Sequence, residues 1–233
     1  MRFRDRRDAG RVLASRLMAY ANRPDVVVLA LPRGGVPVGL EVASALHAPL
    51  DVFLVRKLGV PGQEELAMGA IASGGVRVLN RDVVAAWAVS QRVIDQVAAS
   101  EERELERREQ AYRDGLPPAD VTGRIVILVD DGLATGATMR AALVALRQKQ
   151  PRSLIVAVPV APESVLKELG DAADEAVCVD TPEPFYGVGL WYDDFSPTTD
   201  AEVQNLLRLA VRQPEEYEEY GEPPRHHPLT GSP

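Results

Sequence analysis

The sequence has little cysteine and no long apolar segment. Its one cysteine among 233 residues, Cys178, excludes an internal disulfide, and its A-V-C-V setting predicts a buried thiol on a strand rather than a nucleophile. No segment approaches the roughly 20 apolar residues that cross a bilayer, and no signal-peptide pattern is present. From these absences we expect a soluble, cytoplasmic protein without a membrane partner.

The sequence also lacks an excess of positive charge, since its formal net charge is −8. Nucleic-acid binding requires a basic surface that neutralises phosphates, so this balance argues against a nucleic-acid partner. Four arginines near the N-terminus are a local exception, but Asp5 and Asp8 dilute them. We interpret this segment as the solvated approach to a first helix capped by Asp8. The arginines are Arg2, Arg4, Arg6 and Arg7.

Apolar, β-branched segments alternate with helix-like segments along most of the chain. Five segments are short and apolar on both faces, as buried parallel strands are. They are residues 26–31, 49–55, 125–129, 154–160 and 176–179. Helical patterns occupy residues 36–46, 137–149 and 162–169. This alternation predicts an α/β fold with a doubly wound, mainly parallel, five-stranded sheet.

The remaining segments suggest additions to that sheet. Residues 56–65 are rich in Gly, Pro and charge and predict a loop, and residues 70–79 predict a hairpin. Residues 81–113 predict an inserted helical segment in two pieces, the second capped by Ser90 and mostly charged. This second piece is either a solvated helix or a projecting arm for a partner subunit. We expect one domain over residues 1–212 and a disordered acidic, proline-rich tail over residues 213–233.

Residues 126–138, V-I-L-V-D-D-G-L-A-T-G-A-T, join an apolar strand to a helix through two adjacent carboxylates and small residues. Ligands of open α/β sheets bind at the carboxyl ends of strands, and a helix start attracts phosphate. Asp130 and Asp131 can accept hydrogen bonds from a diol or help to hold a hard cation. A ribose 5-phosphate carries both groups, although the Asp pair alone also fits a simple helix cap.

This segment closely resembles the 13-residue phosphoribosyl pyrophosphate (PRPP) motif of type I phosphoribosyltransferases. The resemblance spans about residues 8–210 and implies that family's fold with a small hood. It implies that Asp130 and Asp131 bind the ribose hydroxyls and, through ribose or water, Mg²⁺. It further implies that the 5-phosphate binds to a loop of small residues and hydroxyls. That loop comprises Ala134, Thr135, Gly136, Ala137 and Thr138.

Two other stretches support the resemblance. L-P-R-G-G-V-P-V-G (31–39) is similar to the family's pyrophosphate loop, in which Arg33, Gly34 and Gly35 would bind pyrophosphate. The resemblance also implies a cis peptide bond between Pro32 and Arg33. Arg56 and Lys57 resemble the family's Arg-Lys pair at the pyrophosphate. From the residues alone, an ordinary glycine turn and two solvated loop charges are the alternatives.

The resemblance implies an Mg²⁺-dependent pentosyltransferase that moves ribose 5-phosphate from PRPP to a nitrogen acceptor, such as a nucleobase, and releases pyrophosphate. Arg33, Lys57, Asp130 and Asp131 are its implied catalytic residues, and residues 57–68 its lid. The implied partners are small-molecule substrates and a second copy in a homodimer. The alternative is a regulator with the same fold that senses PRPP or nucleotides. We also see a likeness to a bacterial group sometimes joined to a hydrolase domain.

Two features bear on the acceptor. Enzymes that act on 6-oxopurines carry an Asp where this chain has Ala134, so hypoxanthine or guanine is a doubtful substrate. The hood, about residues 181–200, is rich in aromatic residues. Its candidates to stack on a flat base are Phe185, Tyr186, Trp191 and Tyr192, but the same stretch also fits a buried edge strand.

Overall fold

The computed structural model describes the backbone of residues 1–218 and the side chains of residues 1–210. Its strands are β1 (Val26–Ala30), β2 (Leu50–Val52), β3 (Val55–Val60), β4 (Gln63–Ala72), β5 (Val76–Leu79), β6 (Ile125–Val129), β7 (Ser153–Val160) and β8 (Glu175–Asp180). Its α-helices are α1 (Arg6–Arg16), α2 (Gly35–Leu46), α3 (Arg81–Ala86), α4 (Gln91–Arg113), α5 (Ala137–Arg147), α6 (Glu163–Leu169) and α7 (Asp200–Glu218). Among these residues no helix is both long and apolar enough to span a membrane.

A five-stranded parallel sheet in the order β2-β1-β6-β7-β8 forms the centre of the molecule. Every residue of β1 and of β6 is buried, because helices cover both faces of a doubly wound sheet. The predicted sheet is therefore confirmed. β6 is the middle strand, so the residues that follow Val129 leave the sheet near its centre. Cys178 lies half-buried on the edge strand β8, where burial raises the pKa of its thiol to about 11.

A second, antiparallel sheet of three strands follows β2, in the order β3-β4-β5. The predicted hairpin is its β4-β5 pair. The prediction of a loop over residues 56–65 is wrong, because these residues form most of β3 and the beginning of β4. A two-residue turn at Pro61 and Gly62 joins the strands, and Gly62 has a φ of +79°. Pro followed by Gly suits such a turn, since Pro fixes a negative φ and Gly accepts a positive one.

Helices α3 and α4 are the two predicted pieces of the inserted segment. The Ser90 side chain accepts a hydrogen bond from Val93 N and caps α4, as expected. However, α4 does not project. It packs against β3 and α7, and its buried apolar residues join the core around the second sheet. Those residues are Ile94, Ala98, Leu105 and Tyr112. Most of the charged residues lie away from this core, but Arg113 in the last turn is buried and pairs with Asp51 of β2.

The N-terminus and the hood are held together by backbone hydrogen bonds. Phe3 N donates to Trp191 O at 2.9 Å and Asp193 N donates to Phe3 O at 2.8 Å. The predicted cap of α1 is displaced by three residues, because Asp5 rather than Asp8 caps the helix, accepting from Asp8 N. The hood segment 181–200 contains a 3₁₀ helix, Val188–Trp191. Of the predicted tail, residues 213–218 continue α7, and residues 219–233 lie outside the described residues.

Candidate active site

Asp130 and Asp131 lie at the carboxyl end of β6, the middle strand of the sheet. Both side chains are half-buried. Asp131 N donates to Oδ1 of Asp130 at 2.8 Å, which turns the first carboxylate back over the second residue. The sheet therefore presents two neighbouring carboxylates at the edge where open α/β sheets bind ligands, as the sequence predicted.

Burial raises the pKa of both carboxyl groups. For Asp130 the negative charge of Asp131 is the second cause, and it raises the pKa further. For Asp131 the guanidinium of Arg6 opposes the shift through a hydrogen bond and its positive charge. Keeping two adjacent, desolvated carboxylates ionised is costly for the protein alone. A ligand that donates hydrogen bonds, or a cation, would relieve that cost.

Sequence reasoning missed the contact that Arg6 makes with the carboxylate pair. Its Nε donates to Oδ2 of Asp131 at 2.7 Å, and the two side chains are only 11% and 14% exposed. The prediction that the N-terminal arginines are a solvated approach is therefore wrong for Arg6. The three other arginines are more than half exposed and pair with acidic residues on the surface. No local pattern distinguishes Arg6, because its partner is 125 positions away.

The glycine loop after β1 approaches the carboxylates closely. An added Cβ at Gly34 would lie 2.0 Å from Oδ2 of Asp131, and one at Gly35 would lie 2.8 Å from Val129 O. A side chain at Gly34 would therefore displace the Asp131 carboxylate, and one at Gly35 would collide with the backbone of β6. The peptide bond between Pro32 and Arg33 is cis, as the resemblance implied. The structure thus brings the two predicted motifs, about 100 residues apart in sequence, to one edge of the sheet.

The loop after the carboxylates ends in the open start of α5. Gly136, with a φ of +69°, precedes the helix, and no side chain at that position caps it. Leu133 is buried and its N donates to Val160 O at 3.0 Å, which fixes the loop to β7. The residues exposed to solvent are Ala134, Thr135, Ala137 and Thr138. An uncapped helix start with exposed small residues and hydroxyls is suited to an anion.

The predicted cationic residues differ in their partners. Arg33 is 49% exposed and its Nη1 lies 3.7 Å from Oδ1 of Asp200, too far for a hydrogen bond. Lys57, on β3, lines a cavity of about 410 Å³ together with Ala137 and Thr138 of the helix start. Lys57 Nζ donates to Glu65 Oε2 at 3.1 Å.

Arg56 is directed elsewhere. Successive strand residues point to opposite faces of a sheet, and Arg56 pairs with Glu101 of α4. The two residues of the predicted Arg-Lys pair therefore have different acidic partners, Glu101 for Arg56 and Glu65 for Lys57.

The aromatic residues of the hood divide into packed and exposed ones. Phe185 and Trp191 stack on each other with ring centroids 6.4 Å apart and pack against a small core that contains Phe3. Tyr186 is 81% exposed. Tyr192 is buried, and its hydroxyl donates to Asp131 O at 2.5 Å. Burial raises the pKa of Tyr192. The hood therefore holds the backbone of the carboxylate loop through the hydrogen bond from Tyr192 to Asp131.

The carboxylates do not form a complete metal site by themselves. Within the part of the chain that the structure describes, no group of three or more His, Cys, Asp and Glu residues is arranged to hold an ion.

Comparison with known proteins extends the sequence resemblance. A family model described as phosphoribosyl transferase domain matches residues 5–182. The chain is 49% identical over 210 residues to a Mycobacterium tuberculosis H37Rv protein with the provisional name phosphoribosyl transferase, a match that covers 90% of this chain. It covers 47% of that relative, so the chain spans about half the relative's length.

A solved structure is also similar to this chain. The crystal structure of TT1426 from Thermus thermophilus matches with a TM-score of 0.79 and 45% sequence identity, over 89% of this chain and 98% of that one. Together with the matched family model and the two motifs at the sheet edge, these likenesses lead to one conclusion: this chain belongs to the type I phosphoribosyltransferase family.

Proposed function

We propose that this chain transfers ribose 5-phosphate from PRPP to a nitrogen nucleophile and releases pyrophosphate. The observation that carries the proposal is the meeting of three features at one sheet edge. The Asp130–Asp131 pair, the glycine loop at Gly34 and the open start of α5 lie side by side there. PRPP carries a diol, a pyrophosphate and a 5-phosphate, which match the carboxylate pair, the glycine loop and the helix start in that order.

The 5-phosphate would bind at residues 134–138. An uncapped helix start contributes about 0.3–2 kcal/mol to anion binding through its dipole. Each hydrogen bond from an amide or a threonine hydroxyl to a charged acceptor adds about 1.5–3 kcal/mol. The ribose hydroxyls would donate to Asp130 and Asp131, and these hydrogen bonds would offset the burial that raises the pKa of both carboxyl groups.

Pyrophosphate would leave from the glycine loop. Gly34 and Gly35 would let the backbone approach the phosphates, and the contact of Arg33 with Asp200, at 3.7 Å, is too long to hold the arginine away from them. In the reaction the acceptor nitrogen forms a bond to C1 of the ribose while the bond from C1 to the pyrophosphate oxygen breaks. Negative charge develops on the leaving group and positive charge on the sugar. Arg33 and the backbone amides of the glycine loop would stabilise the negative charge on the leaving pyrophosphate.

The donor set fits Mg²⁺ held through the substrate. Both carboxylates are acceptor-only when ionised, and among the described residues the one cation in contact with the pair is Arg6, on Asp131. Asp130 would hold the ion through a ribose hydroxyl or a water. When bound, Mg²⁺ would neutralise charge on the pyrophosphate.

The acceptor would be a nucleobase or another amine. Ala134 cannot act as an acid or base, which argues against a 6-oxopurine. Among the hood aromatics predicted to stack on a base, Tyr186 is the best placed because its side chain is exposed. Phe185 and Trp191 pack on each other, and Tyr192 is buried.

The test is a screen of nucleobases and amines with PRPP and Mg²⁺, read as pyrophosphate release. We expect one acceptor to accelerate release well above the rate with water alone. If PRPP binds but no acceptor accelerates release, the chain is a PRPP sensor instead. If PRPP does not bind, both functions fail.

A further inference from the structure

Arg6 reaches the carboxylate pair from the first turn of α1. Its Nε donates to Oδ2 of Asp131 at 2.7 Å, in a pair that is only 11% and 14% exposed. The Arg6–Asp131 pair is therefore largely shielded from water, and it lies beside the proposed ribose site. A charge-assisted hydrogen bond in such a place is strong and directional.

The guanidinium group of Arg6 is fixed from two further sides. Its Nη1 donates to Ser196 O at 2.7 Å. Its Cζ lies 3.9 Å from the centre of the Phe195 ring, a cation–π contact. These contacts leave the guanidinium one orientation, so it can impose an orientation on Asp131.

The backbone around Arg6 is equally well fixed. Asp194 N donates to Arg4 O at 2.9 Å, which joins the chain just before α1 to the hood. Helix α1 packs on α2, and Gly10 permits this, since an added Cβ there would lie 2.8 Å from Val38 O. The position of Arg6 is therefore set by the fold and does not depend on its contact with Asp131.

Arg6 contacts only one of the two carboxylates. It occupies Oδ2 of Asp131, the same oxygen against which Gly34 packs. Oδ1 of Asp131 is not engaged by Arg6, and Asp130 has no ion pair within the described residues. We propose that Arg6 is a positioning residue for sugar recognition: it holds Asp131 so that Oδ1 of Asp131, together with Asp130, accepts the hydroxyls of a ribose 5-phosphate group. This inference rests on the proposed function and adds a residue to it.

Arg7 provides the matched control. It is the next residue of α1, and its Nε donates to Glu41 Oε1 of α2 at 2.6 Å. Loss of this pair removes an ionic contact of α1 and leaves Asp130 and Asp131 unchanged. Arg7 is more exposed than Arg6. An effect seen in an Arg6 variant and not in the Arg7 variant is therefore specific to the site.

The experiment measures the affinity of two probes by calorimetry: ribose 5-phosphate and inorganic phosphate. Both need the start of α5, but ribose 5-phosphate alone needs the carboxylates. We expect Arg6→Met to weaken ribose 5-phosphate by about 10-fold or more, the loss of one charged hydrogen bond, and to leave phosphate within about 2-fold. Arg6→Lys keeps the charge but not the planar guanidinium group. Its affinity for ribose 5-phosphate should therefore lie between that of the unmodified protein and that of Arg6→Met. Arg7→Met should match the unmodified protein for both probes.

The outcomes separate this inference from the proposed function. If Arg6→Met binds ribose 5-phosphate normally, or loses both probes equally, Arg6 is not a positioning residue and the proposed function stands. If Arg6→Met does not fold, Arg6→Lys decides: an unchanged ratio of the two affinities contradicts the inference. If the unmodified protein binds neither ribose 5-phosphate nor PRPP, the proposed function and this inference both fail.

Discussion

Replacement of Gly34 by alanine tests the contact between the glycine loop and the carboxylates. Gly34 has a φ of −62° and a ψ of −31°, a conformation that every residue accepts. An alanine therefore brings no backbone strain. Because it also restricts the unfolded chain, it would by itself stabilise the protein by about 0.4–1 kcal/mol. Any loss of stability or binding must come from the added methyl group.

That methyl group has no room beside Asp131. It would lie 2.0 Å from Oδ2 and 2.6 Å from Cγ of Asp131, and 3.2 Å from Nε of Arg6. Usual contact distances are about 3.5 Å or more, so the carboxylate must move by roughly 1.5 Å. Its hydrogen bond with Arg6 then breaks, at about 1.5–3 kcal/mol, and the crowding itself costs about 1–3 kcal/mol.

These terms overlap, since one displacement relieves the crowding and breaks the bond. After the backbone gain we expect Gly34→Ala to lose about 2 kcal/mol of stability. For a chain of this length that lowers the Tm by about 4–8 °C. PRPP affinity should fall by about 10-fold or more, because the displaced carboxylate is a ribose ligand in the proposed function.

Scanning calorimetry and a titration with PRPP measure the two effects. Gly170→Ala is the control, because Gly170 has a similar backbone conformation (φ −56°, ψ −28°) and its nearest contact would be 3.2 Å. It should stay within about 2 °C of the unmodified Tm and bind PRPP normally. A Gly34→Ala variant with unchanged Tm and PRPP affinity would refute the reasoning.

Two further variants test other parts of the account. Arg113→Met leaves Asp51 buried without the cation that now donates to it at 2.9 Å. We expect the free energy of unfolding, measured with denaturant, to fall by about 3–5 kcal/mol, and PRPP affinity to stay unchanged. A change in stability below about 1 kcal/mol would contradict this role of Arg113. Asp130→Asn removes a carboxyl whose pKa is raised in the folded state, so in the unmodified protein this group lowers stability as pH rises above its unfolded pKa. The variant should therefore have a higher Tm at pH 8, a gain that shrinks as pH falls through the raised pKa; an equal or lower Tm at pH 8 would contradict the assigned burial cost.

Local patterns predicted the central sheet and the positions of the two loops of the candidate site. The five strands lie within a few residues of their predicted bounds, because β1 and β6 are buried on both faces and their sequences are apolar throughout. The order of the motifs along the chain also placed both at strand ends. Since the carboxyl ends of parallel strands share one edge, their meeting followed from the fold class.

Long-range contacts could not be predicted. The ion pair of Arg6 with Asp131 depends on how α1 docks on α2, and nothing near either residue encodes it. The same applies to Phe185 and Trp191, whose sequence fits either a base pocket or a packed cluster. Residues 56–65 are a different case. Their Pro61-Gly62 turn was visible in the sequence, but high charge and glycine content favoured a loop.

The central claim is that the Asp pair and the start of α5 together bind one sugar phosphate. A calorimetric titration with PRPP and Mg²⁺, comparing the unmodified chain with Asp130→Asn/Asp131→Asn, tests it most directly. The account predicts saturable binding of one PRPP per chain, and no detectable binding by the double variant, whose unfolding transition stays cooperative. Equal PRPP affinity in both proteins would contradict it.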